Sequence, residues 1–220
     1  MARSGRASRA GPAQTAGADA TRRALIDAAI ESLRFDGFAG ASARAIAARA
    51  GVNPGLIFYH FGSVADLLLA GLEEVSRRRM ERYSAAVDGA ASPAELLAVA
   101  TEIFREDLDE GYVTVLAEMI AGAGFSPGLG EHVAEVIAPW RAFAQQAIET
   151  IVAESPLASL VPVDDAAHAV VALYLGLEML SHLDGDRDTA LRLFDRAGQL
   201  IALFGTPVAS SPKGDDQWMP

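Results

Sequence analysis

Residues 42–61 read SARAIAARAGVNPGLIFYHF, and the fold turns on how they divide. Ser42 is a good helix N-cap, and Ala43, Ile46, Ala47 and Ala50 recur at the spacing of one helix face before Gly51 offers a stop. Asn53 can cap a second helix, Pro54 suits its first turn, and Gly62 ends it after Phe61. Helices this short are not stable alone, so each must lean on the rest of the chain through Ile46, Ala47, Ile57 and Phe61. With Ile57 and Phe61 turned inward, the outward set is Asn53, Gly55, Leu56, Tyr59 and His60, and Phe58 falls between the two faces. Two short helices joined by Gly51-Val52-Asn53 form the arrangement of a helix-turn-helix, whose second helix enters a DNA major groove while the first lies across it.

Outward from this stretch, apolar residues keep helical spacing and no sustained alternation interrupts them, which predicts an all-α chain. A preceding helix is expected from about Thr21 to Phe35, with Ile26, Ile30 and Leu33 on one face and Gly37 as its stop. A following helix opens at Ser63, with Asp66 completing a capping box, and runs to about Tyr83. Ser92, Pro93 and Glu95 start a helix to about Glu110, and a shorter one spans Val113 to Ala121. The Gly/Pro-rich residues 121–130 read as a loop before a helix to about Ala153 that Pro139 should kink. Two further helices, Asp164 to Leu183 and Asp188 to Phe204, meet at the turn Asp184 to Asp186. The first is apolar around most of its circumference, so it should be buried in the core or against a second subunit.

Composition bounds the rest. With 220 residues, 51% of them hydrophobic, the chain can build a sizeable core, and without cysteine it has neither disulfides nor a thiolate zinc site, which fits a cytoplasmic protein. The longest apolar run, Ala169 to Leu177, is too short for a membrane span. The net charge of −11 seems to exclude a nucleic-acid partner, but it is unevenly spread. The first 60 residues hold eight arginines against four carboxylates, and the remaining residues ten cations against 25 anions, a basic head on an acidic body. The resulting division is a flexible arm, residues 1–18, with Arg3, Arg6 and Arg9; a helix-turn-helix head, residues 19–62; a body, residues 63–206; and a flexible tail, residues 207–220.

From Thr21 to Leu72 the order FDGFAGAS, ARAIAARAGVNPGLIFYHF and GSVADLL resembles the DNA-binding signature of the TetR-like (tetracycline-repressor-like) transcriptional regulators. The resemblance implies a homodimer whose heads read a roughly palindromic operator in double-stranded DNA. It also implies a C-terminal body that dimerises and encloses a pocket for a small-molecule effector, and no catalytic chemistry. By position, Ser42 and Arg44 match the family's phosphate contacts, and Gly55, Leu56, Tyr59 and His60 its recognition surface. Asn53 and Arg49 complete the expected DNA-binding set; Arg44 and Arg49 lie roughly 140 degrees apart around one helix, and Arg44 is the better placed to meet a phosphate. Two positions depart from the family pattern, Val64 where lysine is usual and Phe58 where tyrosine is usual. Both remove a phosphate contact and throw more weight on Arg44 and the arm.

Pocket candidates are Phe104, Met119, Trp140, Phe143, Tyr174 and Glu178; dimer-interface candidates are Val170, Tyr174, Leu177, Leu180, Leu193 and Leu200. Such residues are also ordinary core. Glu178 and His182 stand at the i, i+4 spacing of a two-ligand metal site, and the run Glu106 to Glu110 is acidic, but no third ligand is visible, so no metal or cofactor is expected.

Overall fold

The computed structural model describes residues 12–89, 92–152 and 158–204, and every regular element among them is helical. Arg3, Arg6 and Arg9 of the expected arm, and the expected tail, lie outside these residues. Helix α1 spans Pro12–Gly40, α2 Ala43–Ala50, α3 Gly55–Phe61, α4 Val64–Gly89, α5 Pro93–Glu110, α6 Tyr112–Ala123, α7 Leu129–Val152, α8 Val163–Asp184 and α9 Arg187–Phe204, with a 3-10 turn at Ala158–Leu160.

The expected start signals operate as hydrogen bonds. Ser42 Oγ accepts from the Ala45 N–H at 3.2 Å and Ser92 Oγ from the Glu95 N–H at 3.2 Å. Ser63 Oγ accepts from the Asp66 N–H at 3.1 Å and donates to its carboxylate at 2.6 Å. Two boundaries differ from the sequence expectation. Helix α1 begins at Pro12 rather than near Thr21, because proline suits the first turn and the alanine-rich stretch after it favours helix, so part of the expected arm is already helical. At its other end Gly37 does break the helical path, with φ 70°, but a last turn follows and carries Phe38 onto α6. The expected loop at residues 121–130 is shorter, because α6 continues to Ala123 and α7 starts at Leu129 with Pro139 inside it.

The head forms where α1, α2, α3 and the start of α4 converge. Leu25, Leu33, Ile46, Ala47, Ile57 and Leu67 are all fully buried. That core continues without a break into the body through Val115 and Met119 of α6 and Val133 of α7. Gly62, at φ 85°, turns the chain between α3 and α4, whose axes meet at 65°. A second, smaller core joins Phe104 of α5, Leu177 of α8 and Ala190 of α9. By length and composition α8 alone among the described single helices could cross a membrane, yet it packs on α7 and carries the buried Glu178.

Candidate nucleic-acid interface and ligand cavity

Helix α3 presents its outward face as its sequence period requires. Ile57 is fully buried, Phe61 is half-buried beneath the Arg22 guanidinium at 5.1 Å, and Tyr59 is 79% exposed. Gly55 is exposed, His60 is half-buried with its ring edge-on to Tyr59 at 5.0 Å, and Leu56 leans partly on the core. Phe58, expected between the faces, is 54% exposed. Asn53 Oδ1 accepts from the Gly55 N–H at 2.8 Å, which satisfies one of the free donors at the start of α3.

The two arginines of α2 part company. Arg44 is exposed and has no ion pair among the described residues. Arg49 is turned onto α1, where its Nη1 donates to Asp36 at 2.8 Å and to Ser32 Oγ at 2.5 Å, with Glu31 3.4 Å from its Nε. Hydrogen bonding and attraction from Asp36 raise the pKa of Arg49. It clamps α2 to α1, so of the pair only Arg44 is free to meet an external phosphate.

The body holds a cavity of about 590 Å³ between α4, α5, α6, α7, α8 and α9, with a wall that is almost wholly apolar. Of the pocket candidates, Trp140, Phe143 and Tyr174 line it. Three other candidates do not. Met119 is fully buried in the core shared with the head, while Phe104 and Glu178 stand behind the wall, Phe104 packed edge-on to Tyr174 at 5.1 Å. The interface candidates also divide. Leu177, buried against Phe104 and Ala190, and Tyr174 both line the cavity and present no free surface; Val170 and Leu193 line it too but are exposed, and Leu180 is exposed away from it. The side chain of Leu200 lies outside the described residues. Those corrections share a cause: an apolar helix facing neighbours on several sides gives no local sign of which face meets which neighbour.

One end of the cavity is polar. Arg79 of α4, buried, forms an ion pair with the fully buried Asp107 of α5 and donates to Tyr174 Oη at 3.2 Å. Tyr174 Oη donates to Asp107 Oδ2 at 2.5 Å and lies 2.6 Å from Tyr83 Oη. Glu178 is 2% exposed; neither of its oxygens has a hydrogen-bond partner, and Arg79 Nη2 is 3.8 Å from Oε1. Burial pushes the Glu178 carboxyl up to about 8, with Arg79 pulling against it. Burial also raises both tyrosines. The guanidinium stands 5.2 Å from the Trp140 ring centre and 5.5 Å from that of Tyr112, and the Trp140 indole N–H is taken by Ser76 Oγ at 2.8 Å.

Arg79, Tyr83 and Asp107 were not singled out from the sequence. A signal existed: Leu72, Val75, Arg79 and Tyr83 follow one another at spacings of three and four, so Arg79 occupies an apolar-stripe position within what reads as a solvated RRRMER run. The acidic run is spent on ion pairs, Glu106 with Arg82, Asp107 with Arg79 and Asp109 with Arg187. His182 is exposed while Glu178 is buried, and among the described residues no cluster of three potential ligands could hold a metal.

Comparison with known proteins locates the similarity. Residues 25–70 match the family described as bacterial regulatory proteins, tetR family. An uncharacterised HTH-type transcriptional regulator of Mycobacterium tuberculosis is 31% identical over 118 residues, 54% of this chain and 60% of the relative. The HTH-type transcriptional regulator BetI of Rhizobium meliloti is 33% identical over 87 residues, 39% of this chain and 43% of the relative. The match thus spans less than two thirds of these relatives' lengths. Among solved structures, a TetR-family regulator from Rhodococcus superposes with a TM-score of 0.69 at 21% identity, covering 86% of this chain and all of that one. The regulator FadR of Bacillus subtilis, crystallised with stearoyl-CoA, gives 0.66 at 18% identity over 81% of this chain and 96% of that one. At such identities the likeness is one of fold.

Proposed function

This chain belongs to the TetR family of bacterial regulatory proteins, and on that premise we propose that it is a dimeric transcriptional repressor, cytoplasmic and without catalytic activity, that a small, largely apolar effector releases from a palindromic operator. DNA is met by the N-terminus and outward face of α3, with Gly55 permitting close approach, Leu56 within reach of a thymine methyl, and Tyr59 and His60 on base edges or backbone. Ser42 and Arg44 hold phosphates beside it.

The observation that carries the effector reading is the double role of α6. Tyr112 and Leu116 stand in the cavity wall, while within the next two turns the same helix grips the end of α1 through Glu118 and Gly122. Glu118 accepts from the Phe38 N–H at 2.7 Å, and the Phe38 ring lies so close over Gly122 that a Cβ there would be 2.3 Å from it. A ligand that shifts α6 therefore shifts α1, against which α2 is packed, and α4, which also packs on α6 and carries α3. The FadR likeness, with an acyl-CoA held by that protein, supports a ligand-holding body in this fold.

Dimerisation rests on the exposed apolar face of α8, where Leu180 and Leu183 stand clear of the cavity and Val170 and Leu173 are shared with its wall, as is Leu193 of α9. A monomer leaves this face in water, and a second copy covers it. Fluorescence anisotropy with DNA from upstream of its own gene tests the whole reading. Binding that is sequence-dependent and salt-sensitive, and is lost when a cavity ligand is added, supports it; no sequence-dependent binding by the purified protein overturns it.

A further inference from the structure

The wall of the proposed effector cavity is apolar except where Ser76, Arg79 and Tyr83 of α4 meet Tyr112, Trp140 and Tyr174. At that end most hydrogens are already spent. Tyr174 gives its own to Asp107 Oδ2, and Tyr83 gives its own to Tyr174 or to Asp107, 3.3 Å away. The Trp140 indole N–H goes to Ser76 Oγ at 2.8 Å, and Arg79 Nη2 serves Asp107 and Tyr174. Arg79 Nε, nine-tenths buried with the rest of its side chain, has no acceptor. One turn earlier on the same face of α4, the Ser76 hydroxyl takes the Trp140 hydrogen and finds no acceptor for its own among the described residues. A guanidinium gives hydrogen bonds and accepts none, and a buried N–H left unmet is costly, so what this end lacks is an acceptor.

Charge decides which acceptor. Arg79 already forms an ion pair with the fully buried Asp107, so its charge is matched before a ligand enters. Burial pushes the Glu178 carboxyl up to about 8, so at neutral pH it adds none. A carboxylate head would be a second anion on one guanidinium, within a wall that offers almost no other polar surface. An ammonium head would meet the Arg79 cation and could not accept its hydrogen. A carbonyl oxygen has two lone pairs and no charge to strip of water. From this arrangement we propose that the effector is an uncharged, largely apolar molecule whose carbonyl oxygen, that of a ketone, ester or amide, accepts from Arg79 Nε and the Ser76 hydroxyl. The Trp140 and Tyr112 rings, 5.2 and 5.5 Å from the guanidinium, hold that donor in place. The inference rests on the effector reading above and specifies its headgroup.

The test uses three probes of one chain length and different heads: 2-decanone, decanoate and decylamine, at submicellar concentrations, moderate salt and pH 7. Binding to the full-length protein is read from Trp140 fluorescence in a Trp218→Phe background, since these are the two tryptophans of the chain, and checked by calorimetry for one site per chain. 2-Decanone should bind at least about tenfold more tightly than either charged probe. Infrared spectra of the ketone, labelled with ¹³C at its carbonyl and held by excess protein, report the head directly. Its stretch should lie at or below the position it has in water, because a cationic donor polarises the carbonyl. Arg79→Lys keeps a cation beside Asp107 but has no Nε–H; it should weaken the ketone about tenfold and move the band towards its position in hexane. A wild-type band nearer to hexane than to water overturns the assignment whether or not the variant folds, and so does a variant with unchanged band and affinity. Decanoate or decylamine binding as tightly as the ketone overturns the headgroup and leaves the cavity reading standing. Failure of all three probes to bind overturns the effector reading together with it.

Discussion

Replacing Glu178 by glutamine should stabilise the protein, and increasingly so as pH rises. The carboxyl is 2% exposed, accepts no hydrogen bond and has Arg79 3.8 Å away as its nearest cation, and burial pushes it up to about 8 from 4.5. The folded protein thus keeps a proton on Glu178 that the unfolded chain has already released above pH 4.5. Stability is therefore undiminished below that pH, falls as pH climbs from 4.5 to 8, and levels off beyond. At about 1.4 kcal/mol for each pH unit the full penalty is roughly 5 kcal/mol, most of which accrues between pH 5 and pH 8. Glutamine has nearly the same volume and does not titrate. Urea unfolding followed by circular dichroism, at one protein concentration so that any subunit equilibrium is held fixed, should give nearly equal stabilities for the two proteins at pH 5. At pH 8 the variant should gain several kcal/mol, or roughly 10 °C in Tm for a chain of this size. Parallel pH profiles would refute the reasoning, because they would mean that Glu178 titrates alike in the folded and unfolded chain.

Three further expectations concern the head and its supports. Arg44→Ala should weaken binding to operator and random DNA alike and lower the salt slope by about one, with unchanged stability, whereas Arg49→Ala should cost about 1 kcal/mol of stability by releasing Asp36 and Ser32; thermal melts and anisotropy titrations separate them. Gly122→Ala should cost about 1–3 kcal/mol by forcing a Cβ into the Phe38 ring, and much of that loss should vanish beside Phe38→Ala, as a double-mutant cycle of unfolding free energies would measure. Leu180→Asp, on the exposed face of α8, should give a folded monomer by sedimentation and with it the loss of operator binding; a dimer that persists rules this face out.

The parts legible in the sequence are those decided within one or two turns of chain. Ser42, Ser63 and Ser92 act as caps because cap chemistry is local, and Ile57 faces inward because a seven-residue helix has only one face to bury. What escaped is decided by partners distant in sequence. Asp107 meets an arginine 28 positions earlier and a tyrosine 67 positions later, and nothing in EDLDE distinguishes it from its solvated neighbours. Met119 and Leu177 are apolar residues of the right kind placed against the wrong neighbour by sequence reasoning. The helix period says that a face is buried but not which of several adjoining cores receives it.

The same distinction governs the head's charge. Residues 19–62 hold five arginines against four carboxylates, so apart from the arm the head is close to neutral. Three of the five are engaged within the protein: Arg49 with Asp36, Arg22 over Phe61, and Arg34 over the Phe35 ring at 5.5 Å. The usual lysine position is Val64, and the exposed aromatic at Phe58 has no hydroxyl to give a phosphate. Counted by what each arginine touches, the cations beside α3 are Arg44 and Arg22, the latter held over Phe61, and the remaining surplus belongs to Arg3, Arg6 and Arg9. Affinity that depends so little on counterion release must come from contacts that tell one base pair from another. On the proposed reading such a head should bind random DNA weakly, with a shallow salt dependence in anisotropy titrations, and gain its hold from the shape and methyl pattern offered to Gly55, Leu56 and Tyr59; a steep salt dependence on random DNA would overturn this.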